Sequence, residues 1–239
     1  MKQLVRGLLR FQSEVFPERR EHFESLREGQ APTACLIACG DSRVDPSMVL
    51  QSQPGDLFVL RNAGNLVPVY PEMVGGTAAS VEFAVEVLRV RDLIVCGHSH
   101  CGAIRALLDP EQLSHLPALR QWLDYAAPLR GRLAAIHPVN PEERLDLAVK
   151  ENARLQLSHL DSHPSVRAAV AEGRLRLHAW VYYFEHGEVL TWDADQAEWR
   201  TLRDWARDNG LADDADDEGA GRAEKVVRQG HQGKPDGAS

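Results

Sequence analysis

Two short polar stretches, each closing an apolar run, constrain this chain more than any other feature. Cys39-Gly40-Asp41-Ser42-Arg43 follows Ala34-Cys35-Leu36-Ile37-Ala38, and His98-Ser99-His100-Cys101-Gly102 follows Leu93-Ile94-Val95-Cys96. Short unbroken apolar runs of this kind are strands buried on both faces of a parallel sheet. In such sheets ligands gather outside the carboxyl ends of the strands. Two adjacent tips would present one Cys, then a His and a Cys three positions apart. Two thiolates and an imidazole are one donor short of a structural zinc site. They match a catalytic one, which keeps its fourth position open.

The motifs carry a family resemblance. Cys39-x-Asp41-x-Arg43 with His98-x-x-Cys101 resembles the β class of carbonic anhydrases, whose zinc is held by Cys, His and Cys. Gln53-Pro54-Gly55-Asp56, Arg61-Asn62-Ala63-Gly64-Asn65 and Gly76-Thr77-Ala78-Ala79 keep the family's order and spacing, and the likeness covers roughly residues 1 to 200. Its ends are most similar to cyanobacterial-type members. The resemblance implies one Zn2+ per chain on Cys39, His98 and Cys101, with CO2 and bicarbonate as substrates. It makes Asp41 and Arg43 a gate: clasped by Arg43, Asp41 serves the zinc-held nucleophile, and released, it occupies the open position itself. Gln30 matches an amide that orients substrate from a neighbouring subunit. Phe58, Ala63 and Gly102 match positions lining the apolar CO2 pocket. Phe83 stands where plant-type relatives carry Tyr, and Val87 where some relatives carry a His proton shuttle. Leu36 replaces a Trp of the bicarbonate-inhibited relatives, which points away from that regulated subclass. Rival uses of such a site are hydrolysis of COS or CS2, and a non-catalytic bicarbonate scaffold in which Asp41 caps the metal.

Other cysteines and histidines have plainer roles. Cys35 and Cys96 lie within apolar strands and read as small core residues. His100 competes with His98 as a ligand, but next to Cys101 it would have to reach the same ion from a strained position. Asp41 and Arg43 sit one residue apart, so an extended segment points both to one side, where a guanidinium can clasp and ionise a carboxylate. Thiolates donate more charge than imidazoles, which predicts activity biased toward alkaline pH.

A net charge of −8 argues against general nucleic-acid binding, which depends on Lys and Arg at phosphates, and suits a small neutral substrate. Four cysteines without framework spacing indicate reduced thiols and a cytoplasmic setting. No stretch has the length of a membrane span. Lys2, Arg6 and Arg10 precede the first acid, as in a transit peptide, but Leu4, Leu8, Phe11 and Val15 repeat at helical spacing and favour a packing helix.

The expected order is a helical arm over 1–30, an α/β catalytic domain over 31–206, and an acidic tail over 207–239. In the arm, helices 2–16 and 18–28 are separated at Pro17. Their apolar faces contact a second subunit, as in the resembled family, or pack on the chain's own sheet. Strands are expected at 33–38, 57–60 and 93–96, with a hairpin over 174–192. Helices are expected at 46–51, 73–89, from 101, at 117–128 and at 142–161. Gly75 and Gly76 would let another backbone approach closely. The fold class is therefore α/β: a mostly parallel central sheet with an antiparallel edge strand, flanked by helices. Asp213 to Glu218 holds five acids in six positions, a composition for disorder. The tail is a solubilising segment or a docking peptide toward a carboxysome, which some relatives reach through extended C-termini. The minimal assembly is a homodimer.

Overall fold

The computed structural model describes residues 1–72, 75–134, 136 and 140–211. Six strands form one sheet in the order β2-β1-β3-β4-β5-β6. They are β1 (Ala34–Cys39), β2 (Leu57–Asn62), β3 (Asp92–His98), β4 (Arg176–Tyr183), β5 (Glu188–Asp193) and β6 (Glu198–Thr201). The first four are mutually parallel, and β5 and β6 are added by antiparallel pairing, β5 to β4 and β6 to β5, so the expected mixed sheet is present with two strands at its antiparallel edge. β6 has only four residues, mostly polar, and is held by an edge-to-face contact of Trp199 on Trp192, centroids 5.7 Å apart.

β1 is buried at every position, which explains its unbroken apolar sequence. Cys35, Ile37 and Cys39 point into the larger core cluster, and Ala34, Leu36 and Ala38 into a smaller one on the opposite face. From β1 the chain turns outward to β2, then crosses back to β3 on the other side. The carboxyl ends of β1 and β3 therefore flank the topological switch point, where α/β sheets bind ligands.

The helices flank this sheet. The first, α1 (Lys2–Arg10), passes through a π turn at Phe11–Val15 into α2 (Phe16–Ser25). The expected break at Pro17 is absent. The π turn instead shifts the hydrogen bonds by one residue, with the Phe16 N–H donating to the Phe11 carbonyl, just where proline has no N–H to give. α2 is tied down by Arg19 donating to Gln53 (2.8 Å) and by the His22 ring on the Pro54 carbonyl (2.8 Å). Leu26 fills the space over Gly55, whose φ of +99° favours glycine and where a Cβ would stand 2.7 Å from Leu26 Cδ2. No residue of α1 is buried, and Leu4 is 72% exposed, so its apolar stripe does not pack on the chain's own sheet.

Asp45 caps α3 (Pro46–Leu50), accepting from the Met48 N–H, as expected from Asp-Pro. α4 (Gly76–Glu82) runs into a second π turn, Phe83–Val87; the expected start at Met73 and Val74 lies outside the described residues. Among the described residues a Cβ at Gly76 would meet nothing within 4 Å, so none of them makes a close approach at Gly76. Next come α5 (Gly102–Leu108), α6 (Pro117–Leu123), α7 (Pro128–Ala134) and α8 (Pro141–Asp161). The expected single helix over 117–128 is divided, with a 3-10 turn at Asp124–Ala126 before α7. α9 (Pro164–Ala171), unforeseen, precedes β4, and α10 (Leu202–Asp208) follows β6. α10 carries helix two residues into the stretch assigned to the tail; from 212 on, including the acidic run, the tail lies outside the described residues.

The long helix α8 positions the site through buried polar groups. Gln156, fully buried, accepts from the Val67 N–H (2.8 Å) and donates to Asn152 (2.9 Å), which donates to the Gly64 carbonyl (3.0 Å). Gln156→Leu would leave the Val67 N–H and the Asn152 oxygen unpaired in the core. Each orphan costs about 1–3 kcal/mol, so urea unfolding should show a loss of about 2–6 kcal/mol.

Candidate metal centre

Cys39 ends β1, His98 ends β3, and Cys101 caps α5, so one strand tip and one turn bring all three together. Among the described residues they form the group able to hold a metal ion, with ligand atoms within 4.8 Å of one another and all three residues buried. The two sulfurs are 3.9 Å apart. Two thiolates held at about 2.3 Å on a tetrahedral ion lie about 3.8 Å apart, so the sulfurs already stand at that spacing.

The His98 ring is set by its other nitrogen. Nδ1 donates to the Ser99 carbonyl at 2.8 Å, which leaves Nε2 a lone pair, and Nε2 is buried with no hydrogen-bond partner. We therefore assign no hydrogen bond from Nε2 to Cys39. An orphaned lone pair facing two sulfurs is a cation site in donor chemistry. The Cys101 thiol beside it, more than any other group, draws the Cys39 thiol down, helped by the Gly64 and Asp41 N–H groups and opposed by burial. Cys101 is pushed up for the same reason, chiefly by its hydrogen bond to Cys39. One proton shared by two sulfurs is tolerable there; a second negative charge requires a cation. Cys35 and Cys96 differ, each pushed up to about 12 by burial alone, as fits core thiols.

Asp41 is clasped by Arg43 through two parallel bonds, Nε to Oδ1 at 2.9 Å and Nη2 to Oδ2 at 2.8 Å. The Arg43 N–H adds a third at 3.0 Å. These bonds from Arg43 hold the carboxyl well below the usual carboxylate range. Asp41 Oδ2 lies 3.9 Å from His98 Nε2. Arg43 also donates to the His100 carbonyl (3.1 Å), with its guanidinium 4.5 Å above the Phe184 ring.

The remaining expected residues fall into two groups. Ala63 and Gly102 belong to the strand-tip side: the Ala63 carbonyl accepts from Trp122 Nε1 (2.8 Å), and a Cβ on Gly102 would meet nothing within 4 Å. Gly64 has a φ of +81°, which favours glycine, and a Cβ there would stand 3.5 Å from both Ala103 Cβ and Ile104 Cδ1. Phe58 and Phe83 instead touch each other, centroids 5.9 Å apart. Phe58 pairs in register with Cys35, four positions before Cys39, and Gln30 precedes β1 altogether. Their own chain's strand order therefore places neither Gln30 nor Phe58 at the tip. His100 points away from the cluster, with Nε2 3.4 Å from Glu185.

Sequence reasoning missed several supporting residues. Arg61 donates to the carbonyls of Cys39 (3.0 Å) and Asp41 (2.7 Å), fixing the first motif. Ser99, Phe184 and Glu185 brace the second. The strand-tip rule itself could have flagged Phe184-Glu185, because they follow β4, the neighbour of β3.

Known proteins match this arrangement. The carbonic anhydrase family profile matches residues 34–189. A carbonic anhydrase of Pseudomonas aeruginosa is 47% identical over 79% of this chain and 86% of its own length. Carbonic anhydrase 1 of Escherichia coli O157:H7 is 45% identical over 81% and 88%. The solved β-carbonic anhydrase CcaA superposes with a TM-score of 0.82 at 40% identity, covering 84% of this chain and 91% of that one. A tetrameric β-carbonic anhydrase of Sordaria macrospora gives 0.71 at 29% identity, over 80% and 97%. With both strand-tip motifs inside the matched span and CcaA superposing over 84% of this chain, the chain belongs to the carbonic anhydrase family, in its β class.

Proposed function

We propose that this chain is a zinc-dependent carbonic anhydrase, interconverting CO2 with bicarbonate and a proton, with Cys39, His98 and Cys101 as its zinc ligands. The observation that carries this reading is the unpartnered His98 Nε2 facing two sulfurs 3.9 Å apart at the switch point of the sheet. Zinc bound there would supply a Lewis acid that lowers the pKa of water to about 7 and so makes a nucleophile available at neutral pH. The protein's part is orientation. Asp41 stays an anion at working pH because of Arg43, so it acts as a hydrogen-bond acceptor that aligns the attacking water and cannot store its proton. Gly102 leaves room for CO2 beside the turn, and Ala63 keeps that wall apolar.

Gln30, Phe58 and Phe83 complete the pocket from a second subunit in this reading. Phe83 is 41% exposed, the α1 stripe is open, and the strand order keeps Gln30 and Phe58 from their own chain's tip. A homodimer is the smallest assembly that joins them, and tetramers are known among its structural neighbours. The acid-capped scaffold reading lacks its geometry, since Asp41 is held in the Arg43 clamp. Nothing in the site favours COS or CS2. Leu36 is buried among Val44 and Ile94, in keeping with the absence of the anion pocket of bicarbonate-inhibited relatives. No helix among the described residues is long and apolar enough to cross a membrane. We assign the enzyme to the cytoplasm, or to a carboxysome reached through the 207–239 tail.

Stopped-flow CO2 hydration against pH, with zinc measured on the same preparation, tests the function. Turnover should scale with zinc content and rise toward alkaline pH. A zinc-loaded chain that binds bicarbonate without turning over CO2 between about pH 7 and 9 would defeat the reading.

A further inference from the structure

Between His98 and Cys101 the chain makes a tight turn. His100 sits at φ +54°, a left-handed conformation that non-glycine residues seldom adopt. Yet both ends of the turn carry donors. The peptide joining Ser99 to His100 matters most, because the Ser99 carbonyl is the partner of His98 Nδ1 and so sets the ring plane.

The groups that hold this turn come from the tip of β4. The Ser99 N–H donates to the Tyr182 carbonyl at 2.9 Å. The Ser99 hydroxyl donates to Glu185 Oε2 at 2.5 Å, and His100 Nε2 lies 3.4 Å from the other oxygen of the same carboxylate. One side chain therefore grips the residues on both sides of that peptide. Phe184 lies beneath, its ring centroid 6.4 Å from that of His98, 5.9 Å from that of His100, and 4.5 Å from the Arg43 guanidinium carbon. On the far side, Arg43 donates to the His100 carbonyl with the same Nη2 that holds Asp41. Displacing the turn would thus move the His98 ring and loosen the clamp on Asp41 together.

We propose that Glu185 is a positioning residue of this enzyme: by bridging Ser99 and His100 it holds the left-handed turn, and through it the His98 ring and the Arg43–Asp41 clamp. Glu185 touches none of the three ligand residues and no reacting atom. Its influence passes through two hydrogen bonds and one peptide plane. Partners in this outer layer typically change metal affinity by about 10- to 100-fold when removed. The inference rests on Cys39, His98 and Cys101 holding zinc.

The test uses the full-length, zinc-loaded chain and four variants, Glu185→Ala, Glu185→Gln, Ser99→Ala and the double variant that joins Glu185→Ala with Ser99→Ala. Zinc release to a chelator and the visible spectrum of the cobalt-substituted protein are the readouts beyond activity. Glu185→Ala should release zinc about 10-fold faster or more, alter the cobalt spectrum, and lower kcat with little change in KM. Glu185→Gln, whose amide oxygen still accepts from Ser99, should stay within about 3-fold of wild type in release rate. Ser99→Ala should resemble Glu185→Ala, and the double variant should be no worse than either, since both remove one bridge. Release and kcat within 2-fold of wild type in both alanine variants would overturn the proposal, as would equal losses in Glu185→Gln and Glu185→Ala or additive losses in the double variant. Should Glu185→Ala not fold, Ser99→Ala and Glu185→Gln decide alone. A wild-type chain that takes up no zinc sinks the metal reading instead, which keeps the two failures apart.

Discussion

Cys101→Ala, purified without added metal, should emerge with most of its zinc gone and no measurable CO2 hydration above background. The variant leaves Cys39 and His98, two donors that cannot close a tetrahedral site. Structural zinc in small proteins is bound with about 10–16 kcal/mol in total, so losing one of three ligands should forfeit about 10²-fold or more in affinity. Cys39→Ala should behave alike. The informative contrast is Cys96→Ala, which removes a buried thiol that packs in the smaller core cluster, whereas Cys39 and Cys101 belong to the larger one. It should keep its zinc and lose only packing. Elemental analysis on gel-filtered protein reads all three, and full zinc retention in both Cys39→Ala and Cys101→Ala would remove the assignment.

Arg43→Ala should separate metal binding from catalysis. The variant keeps all three ligands, so zinc stays near one per chain. Asp41 loses the two side-chain bonds at 2.9 and 2.8 Å and keeps only a single backbone N–H. Its Oδ2 already lies 3.9 Å from His98 Nε2, so a modest rotation carries it toward the metal position. Turnover should fall by about 10² to 10³, the usual effect of losing one oriented electrostatic contact. Asp41→Asn should lose a similar amount for a different reason, because an amide cannot supply the anionic acceptor. Zinc-edge absorption distinguishes them: only Arg43→Ala should gain a carboxylate in the coordination shell. Wild-type turnover in Arg43→Ala, with no such carboxylate, would reduce the pair to a structural bridge.

How much of this was readable beforehand depended on where the information lies along the chain. β1 and β3 are buried on both faces, so their apolar runs and the polar motifs closing them stood out. Asp41 and Arg43 are two positions apart, and local spacing could place them on one side. The contacts that brace the site are of another kind. Ser99 meets Glu185 across 86 positions, and Arg61 meets Cys39 across 22, through the parallel register that only the assembled sheet supplies. The two π turns left no trace either, since a one-residue shift in hydrogen bonding barely changes which residues face inward. Pro17 misled for that reason. β6 and α9 were too short for periodicity to declare itself.

The separation of the two thiols bears on how the enzyme comes to be loaded. Cys39 and Cys101 are 62 positions apart and meet only because β1 and β3 pair side by side. An unfolded chain offers His98 and Cys101 as a weak local pair, so tight capture must await docking of the two strands. Zinc bound at the proposed site would then add to the stability of the finished fold by mass action. In a metal-starved cell a chain whose strands had docked would stay idle until the ion reached it. The time between synthesis and first turnover would then report metal supply and not folding speed.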